Sequence, residues 1–281
     1  MAKKLGILMI RGSGSPGFDD QEMFIERLFK QLRKEGKAPE NEIAWRFINW
    51  YEPLETEQQT LISRLEGSSL KVRSMFLRKF LLSNTSDLIN YGGRPNESST
   101  AYEEIHQIVT SDIRLLQNEL VPDAPLIILA SSFGTKVIND HIWDRQQFSI
   151  KNPGVPDPLG QTAFERMETV VGLFTFGSNL AIFGASVPID DLRPIQFPDA
   201  NLPIAWKPLS KWINIYDKND PLGYPVTFIN QHYADGRVTD VQCNVGNIFT
   251  FWNIASHFYF WKSKKVGRRV CKFTSKVLDA I

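Results

Sequence analysis

Residues Pro125–Asp144 read PLIILASSFGTKVINDHIWD, and the two halves of that stretch follow different rules. Pro125–Ala130 is an unbroken apolar run, the pattern of a strand covered on both faces. Phe133–Asp144 reads as a helix, and between them Ala130-Ser131-Ser132-Phe133-Gly134 is short and small enough to be a tight turn. A buried strand feeding directly into a helix is half of a βαβ unit. It predicts an α/β fold with a mostly parallel sheet and helices on both faces.

The same pattern recurs outward. Leu5–Ile10 (LGILMI) is a second fully apolar strand, ended by the Gly-rich RGSGSPG. Asp19 and Asp20 then place acidic groups in the first turn of a helix. Met23, Phe24, Leu28 and Leu32 carry that helix until Gly36 stops it. Glu42–Trp50 fits another strand. Residues 51–120 read as mostly helical, with a polar break at Gly92–Ser99, and Ile105, Val109, Leu116 and Leu120 share one helical face. Thr169–Phe176, Lys211–Tyr216 and Arg237–Cys243 are further strand candidates, and Val266–Leu278 is an amphipathic basic helix. The Pro-rich segments 145–168 and 178–210 lack periodicity and read as loops. No internal repeat appears. The simplest organisation is one domain over 1–281, with 51–100 and 178–210 as candidate lids.

Composition narrows the function. The 281 residues include 32 Lys and Arg against 31 Asp and Glu, a net charge of +1, which argues against a nucleic-acid partner. No run approaches the roughly 18 apolar residues of a membrane helix. The amino terminus MAKKLGILMIRGSG opens like a signal peptide, but its apolar run, Leu5–Ile10, is short of the usual minimum of about 7 and no cleavage site follows. Cys243 and Cys271 cannot make a disulfide framework. A cytoplasmic protein is the expectation.

Two motifs compete for the chemistry. Gly12-x-Gly14-x-x-Gly17 sits between a strand and a helix, as a dinucleotide-binding turn requires. However, the acidic residue that should follow about 20 positions later is missing; the nearest past the second strand is Glu52, and Pro16 removes an N–H from the loop. The rival is small-x-Ser-x-Gly over Ala130–Gly134. A nucleophile elbow is so tight that the positions two before and two after its serine must be small. Ser13-Gly14-Ser15-Pro16-Gly17 also fits that spacing. It fails because the residue after the nucleophile must donate its N–H to an oxyanion, which Pro16 cannot do and Phe133 can. Ser132 is the better nucleophile.

A serine hydroxyl needs a base, and the base needs an orienting group. Of the four histidines, His106 reads as a helix-face residue and His141 is carried away from the elbow by its own helix. His232, in a polar loop, is a candidate. His257 follows the last strand by about a dozen residues, where a loop returns over the sheet. For the acid, Lys211–Tyr216 runs into Asp217-Lys218-Asn219-Asp220-Pro221. Both aspartates are potential turn formers. Asp220, beyond the strand end, has the freedom to reach a histidine, and Asp217 is its rival.

Ser132, Asp220 and His257 occur in the order Ser…Asp…His, each past the carboxyl end of a different expected strand. In this the chain resembles the α/β-hydrolase superfamily, whose triad has that order. The resemblance extends from the Arg11–Gly14 loop to His257 and implies a serine esterase or lipase-like enzyme with a shortened sheet. It implies Ser132 as nucleophile, His257 as base and Asp220 as its partner. It also implies an oxyanion hole from the N–H of Phe133 and of Gly12 or Ser13, and an elbow braced by Ala130 and Gly134. Arg11 stands where the family often has histidine, and Ala130 where it has glycine. The expected substrate is a small ester or acyl compound, with no metal and no cofactor. The aromatics Trp50, Tyr51, Phe133, Phe258 and Tyr259 suggest a hydrophobic pocket for it. Two other readings stay open: a hydrolase fold that binds without catalysis, and an oxidoreductase using the first glycine motif.

Overall fold

Among the residues described by the computed structural model (2–12, 19–50, 60–64, 82, 91, 100–158, 160–184, 188–246 and 254–281), the apolar runs become six strands. They are β1 (Leu5–Ile10), β2 (Ile43–Ile48), β3 (Leu126–Ser131), β4 (Val170–Phe176), β5 (Lys211–Tyr216) and β6 (Val238–Gln242). They form one sheet in the order β2-β1-β3-β4-β5-β6, every neighbouring pair parallel. Every residue of β1, β3 and β4 is buried, as strands covered on both faces must be. Toward the β6 edge half-buried and exposed positions enter the strands instead.

Four long helices cover the sheet: α1 (Asp19–Lys34), α2 (Thr100–Gln117), α3 (Phe133–Lys151) and α4 (Lys264–Leu278). The strand period of two divides the core into two clusters. Leu5, Ile7, Met9, Ile127 and Leu129 point to one face and pack with Phe24 and Leu28 of α1 and with Val266 and Val270 of α4. Leu8, Ile10, Leu126 and Ile128 point to the other, against Ile105 and Val109 of α2 and Val137 and Ile138 of α3. Each such side chain contributes about 1.5–3 kcal/mol on burial. The expected α/β sheet with helices on both faces is therefore the observed one.

Local signals explain the helix ends. Three acids occupy the first turn of α1 and two bases its last, complementing the helix dipole. At Gly36 (φ 79°) the chain turns left-handed, and the N–H of Lys37 reaches back to the carbonyl of Leu32 at 3.1 Å. The side chain of Ser263 caps α4 by accepting from the N–H of Val266.

Some boundaries differ from expectation. Arg145–Lys151, read as the start of a loop, continues α3. No Gly or Pro interrupts it, and the guanidinium of Arg145 turns inward to pair with Asp157 at 3.1 Å. Met23, expected on the buried stripe of α1, is 41 % exposed, while Phe24 and Leu28 carry the packing. Leu120 lies past the end of α2, buried in a bridge where Lys3 pairs with it. Most of 51–99, including the polar break and most of the first candidate lid, lies outside the described residues.

Candidate active site

The strand order sets the place of the site. From β1 the chain moves outward to β2 and from β3 in the opposite direction to β4, so the loops leaving β1 and β3 part company. Open α/β sheets form their crevice at that switch point, beyond the carboxyl ends of the strands. Ile10 pairs with Ala130 there, so Arg11 and Gly12 run alongside Ser131 and Ser132.

Ser132 sits at φ 52°, ψ −130°, a region that costs a side-chain-bearing residue roughly 1–3 kcal/mol. The surroundings hold it there. Its N–H donates to the carbonyl of Phe176 at 2.9 Å, and the Thr135 hydroxyl donates to its carbonyl at 2.6 Å. Two glycines make room for the bend. A Cβ on Gly12 would lie 2.6 Å from Ser132 Oγ, and one on Gly134 would lie 2.6 Å from the Arg11 carbonyl oxygen. Smallness at 134 is thus demanded by close approach of the β1 loop. Ala130 is the last but one of the six buried residues of β3. Phe133 opens α3, stacked on Trp50 at 5.1 Å between ring centres.

His257 joins this serine to Asp220. Its Nδ1 is 2.7 Å from Asp220 Oδ2 and its Nε2 is 2.7 Å from Ser132 Oγ. A carboxylate only accepts, so Nδ1 carries the proton and donates to Asp220, leaving Nε2 to accept from the serine hydroxyl. The side chains of His257 and Asp220 are 3 % and 0 % exposed. Asp220 Oδ1 also accepts from the N–H of Leu222 at 3.0 Å. Asp217 has a different task. Its oxygens accept from the N–H of Asn219 at 3.0 Å and of Val245 at 2.8 Å, tying the ends of β5 and β6 together. Of the two rivals for the acid, the structure brings Asp220 to His257.

Several supporting residues carry no motif. Trp261 donates from Nε1 to Ser131 Oγ at 2.9 Å and sets its ring against Phe24 and Phe176. That pins the His257 loop to the end of β3. A Cβ on Gly177, just past β4, would meet Asp220 Oδ2 at 3.0 Å and His257 Cε1 at 3.2 Å. A glycine closely following a strand's carboxyl end was the available signal for that one. Trp261 had none, because a tryptophan among aromatics reads as core.

The expected aromatic pocket is corrected. Trp50 and Phe133 are fully buried core residues, and the Trp50 indole donates to the Arg11 carbonyl at 2.6 Å. They brace the β1 loop and do not line the cavity. Of the five aromatics named from the sequence, Phe258 lines it, Tyr259 lies beneath Lys262, and Tyr51 is outside the described residues. The cavity beside Ser132 is about 50 Å³, lined by Arg11, Gly12, Asp20, Gln21, Phe258 and Trp261 with the serine and histidine.

The helix face that carries His106 is covered by α3. His106 is buried, with its Nδ1 3.2 Å from Nδ1 of His141 and its Nε2 3.0 Å from the hydroxyl of Tyr91. Burial lowers the pKa of His106 to about 3, helped by the charges of Arg145 and Lys136, and drives that of His141 well below its ordinary value. His232 is held in its turn by Asn230. Ser13, Gly14, Ser15, Pro16 and Gly17 lie outside the described residues, and so does Glu52. Among the described residues no group of His, Cys, Asp and Glu fits a metal, and no helix is long and apolar enough to cross a membrane.

A buried carboxylate, an imidazole and a serine hydroxyl lie in one hydrogen-bonded line that ends on a strained residue just past β3. No family model matches this sequence, and no curated protein is significantly similar to it.

Proposed function

We propose that this chain is a serine hydrolase of α/β-hydrolase type that cleaves a carboxylic ester or thioester through an acyl-enzyme. The observation that carries the reading is the unbroken Ser132–His257–Asp220 line, 2.7 Å at each step, on a serine with left-handed φ. The parallel sheet, the nucleophile after β3, the acid after β5 and the histidine after β6 are all compatible with that superfamily.

In this mechanism Ser132 Oγ attacks the acyl carbonyl while His257 Nε2 removes its proton. Asp220 keeps the proton on Nδ1 and steadies the imidazolium that forms. The N–H of Phe133, at the start of α3, stabilises the oxyanion together with the N–H of Gly12 or Ser13, a contribution of about 3–4 kcal/mol per donor. The imidazolium then protonates the leaving alcohol or thiol. Water, deprotonated by the same His257, attacks the acyl-enzyme, frees the acid and restores Ser132.

A fluorophosphonate probe followed by peptide mapping tests this directly. Covalent capture at Ser132 is expected, and Ser132→Ala should abolish capture and lower kcat by about 10⁴–10⁶. A purified protein that stays unlabelled, or hydrolysis unchanged in Ser132→Ala, would overturn the proposal. The unlabelled result would leave a hydrolase fold used for binding.

A further inference from the structure

The outer face of α4 carries a single kind of side chain. Lys264, Lys265, Arg268, Arg269, Lys272 and Lys276 occupy every exposed position of the helix, and its 15 residues include no acid. Positions 264, 268, 272 and 276 recur at a spacing of four and so form one row along the helix, with 265 and 269 beside it. That row runs about 18 Å. A merely solvated helix face mixes both signs and is laced with ion pairs. Here none of the six pairs with a carboxylate among the described residues; Lys265 reaches the carbonyl of Asn244 at 3.4 Å and Arg268 that of Lys264 at 3.3 Å. The acids at the two ends of the α1–α4 pair are already engaged, Asp20 with Lys262 at 3.2 Å and Asp279 with Lys37.

Like charges at this spacing repel, and packing does not require them, because Val266, Val270, Phe273 and Val277 on the opposite side join α4 to the core. Setting these six apart leaves 26 Lys and Arg against 31 Asp and Glu, a net −5 for the rest of the chain. The near-neutral total hides a charge asymmetry that turns α4 toward a negative partner. The neighbours of α4 then limit which partner it reaches. With α1 lying along it, the helix is too broad to enter a DNA major groove about 12 Å wide. With its apolar side in the core, it has none to bury in lipid. What it offers is a nearly planar strip of cations that meet a flat surface together. Four of the six are Lys, a point charge without the fork that selects single phosphates or carboxylates, which suits charge spread over a plane. Clusters of this size on one helix are what anionic lipid headgroups attract.

We propose that the exposed face of α4 is a peripheral docking surface for a bilayer containing anionic phospholipid, held by charge alone with no segment inserted. The proposal goes beyond the hydrolase reading and does not depend on it. α4 begins three residues after Trp261, which lines the cavity beside Ser132, so the docked face adjoins the rim of that site.

Co-sedimentation of the intact chain with lipid vesicles tests this. Phosphatidylcholine alone should leave the protein in solution, and a phosphatidylcholine–phosphatidylserine mixture should carry it down. Each Lys or Arg at an anionic surface multiplies partitioning about fivefold. Combining Lys264→Gln, Arg268→Gln, Lys272→Gln and Lys276→Gln, which keeps good helix formers, should therefore lower partitioning by more than about tenfold. Combining Lys4→Gln, Lys151→Gln, Lys211→Gln and Lys218→Gln changes the net charge equally at exposed sites outside α4 and should leave binding in place. Salt at about 1 M shortens the screening length to about 3 Å and should release the bound protein. Equal sedimentation with the two lipid compositions, or equal weakening in the two quadruple variants, overturns the proposal. So does a native chain that binds an oligonucleotide but no phosphatidylserine vesicle, which would give the strip to a nucleic acid. Adsorption needs no nucleophile, so Ser132→Ala should bind vesicles as the native chain does. Vesicle binding without fluorophosphonate capture would overturn the hydrolase reading alone, and capture without vesicle binding would overturn this proposal alone.

Discussion

Asp217 and Asp220 are three positions apart in one turn, of the same residue type and both buried, yet the fold gives them separate work. Asp220 holds the imidazole of His257, while Asp217 gathers backbone N–H groups that join two strand ends. Asp220→Asn should therefore lower kcat by about 10⁴, because the amide favours the wrong histidine tautomer, with little loss of stability. Asp217→Asn should cost about 1–3 kcal/mol of stability through weakened acceptors for Val245 and Asn219, with kcat of the folded protein largely kept. Paired kinetics and urea unfolding of the two variants check this, and the reverse pattern would exchange their roles. From sequence, Asp220 was preferred for its reach beyond the strand end. What could not be read was the N–H of Val245, 28 residues away, which commits Asp217 elsewhere.

Between α2 and α3 the deciding feature is the buried imidazole pair. His106 of α2 and His141 of α3 stack with ring centres 5.4 Å apart. Tyr91 bonds His106 and also donates to Asp140 at 2.9 Å, and Lys136 pairs with that same carboxylate. Tyr102 and Asp144 close the side of the cluster, joined at 2.7 Å. Both histidines are neutral in the folded state, whereas in the unfolded chain each protonates near pH 6.5. The unfolded chain thus binds more protons below that pH. Stability is complete above about pH 6.5 and falls as the pH drops toward the folded value near 3 of His106, with a slope approaching 1.4 kcal/mol per pH unit for each imidazole. Unfolding free energies at pH 7 and pH 5 measure it; equal values would contradict a neutral pair. α2 was legible from its apolar spacing, and α3 from its place directly after a buried strand. The pair was not, since a histidine on a helix face carries no mark of whether a second helix will cover it.

Across the whole molecule, the site exists because five strand ends lie level. Ile10 pairs with Ala130, Ser131 with Phe176, Phe176 with Ile215, and Tyr216 with Gln242. That register brings Gly12, Ser132, Gly177 and Asp220 onto one edge, and Trp261 locks the His257 loop across it. Trp261→Phe keeps the ring packing and deletes the N–H to Ser131. It should cost about 1 kcal/mol of stability and lower kcat more than it raises KM, because His257 loses its anchor. Trp261→Ala should cost about 3–5 kcal/mol. Thermal unfolding and steady-state kinetics would separate these effects, and an unchanged kcat in Trp261→Phe would remove the indole from the positioning role. The sequence alone determined the α/β class, the strand-turn-helix around Ser132 and three residues of suitable chemistry. Those follow from short-range rules, periodicity and turn sterics, which each segment obeys by itself. Only the tertiary structure decided that Asp220 rather than Asp217 meets His257. It also put Trp50 and Phe133 into the core, left Phe258 on the cavity wall, and brought Gln21 to the cavity beside Ser132. Those outcomes depend on strand order and register, contacts between segments far apart in sequence, and no local pattern encodes which distant segment will arrive.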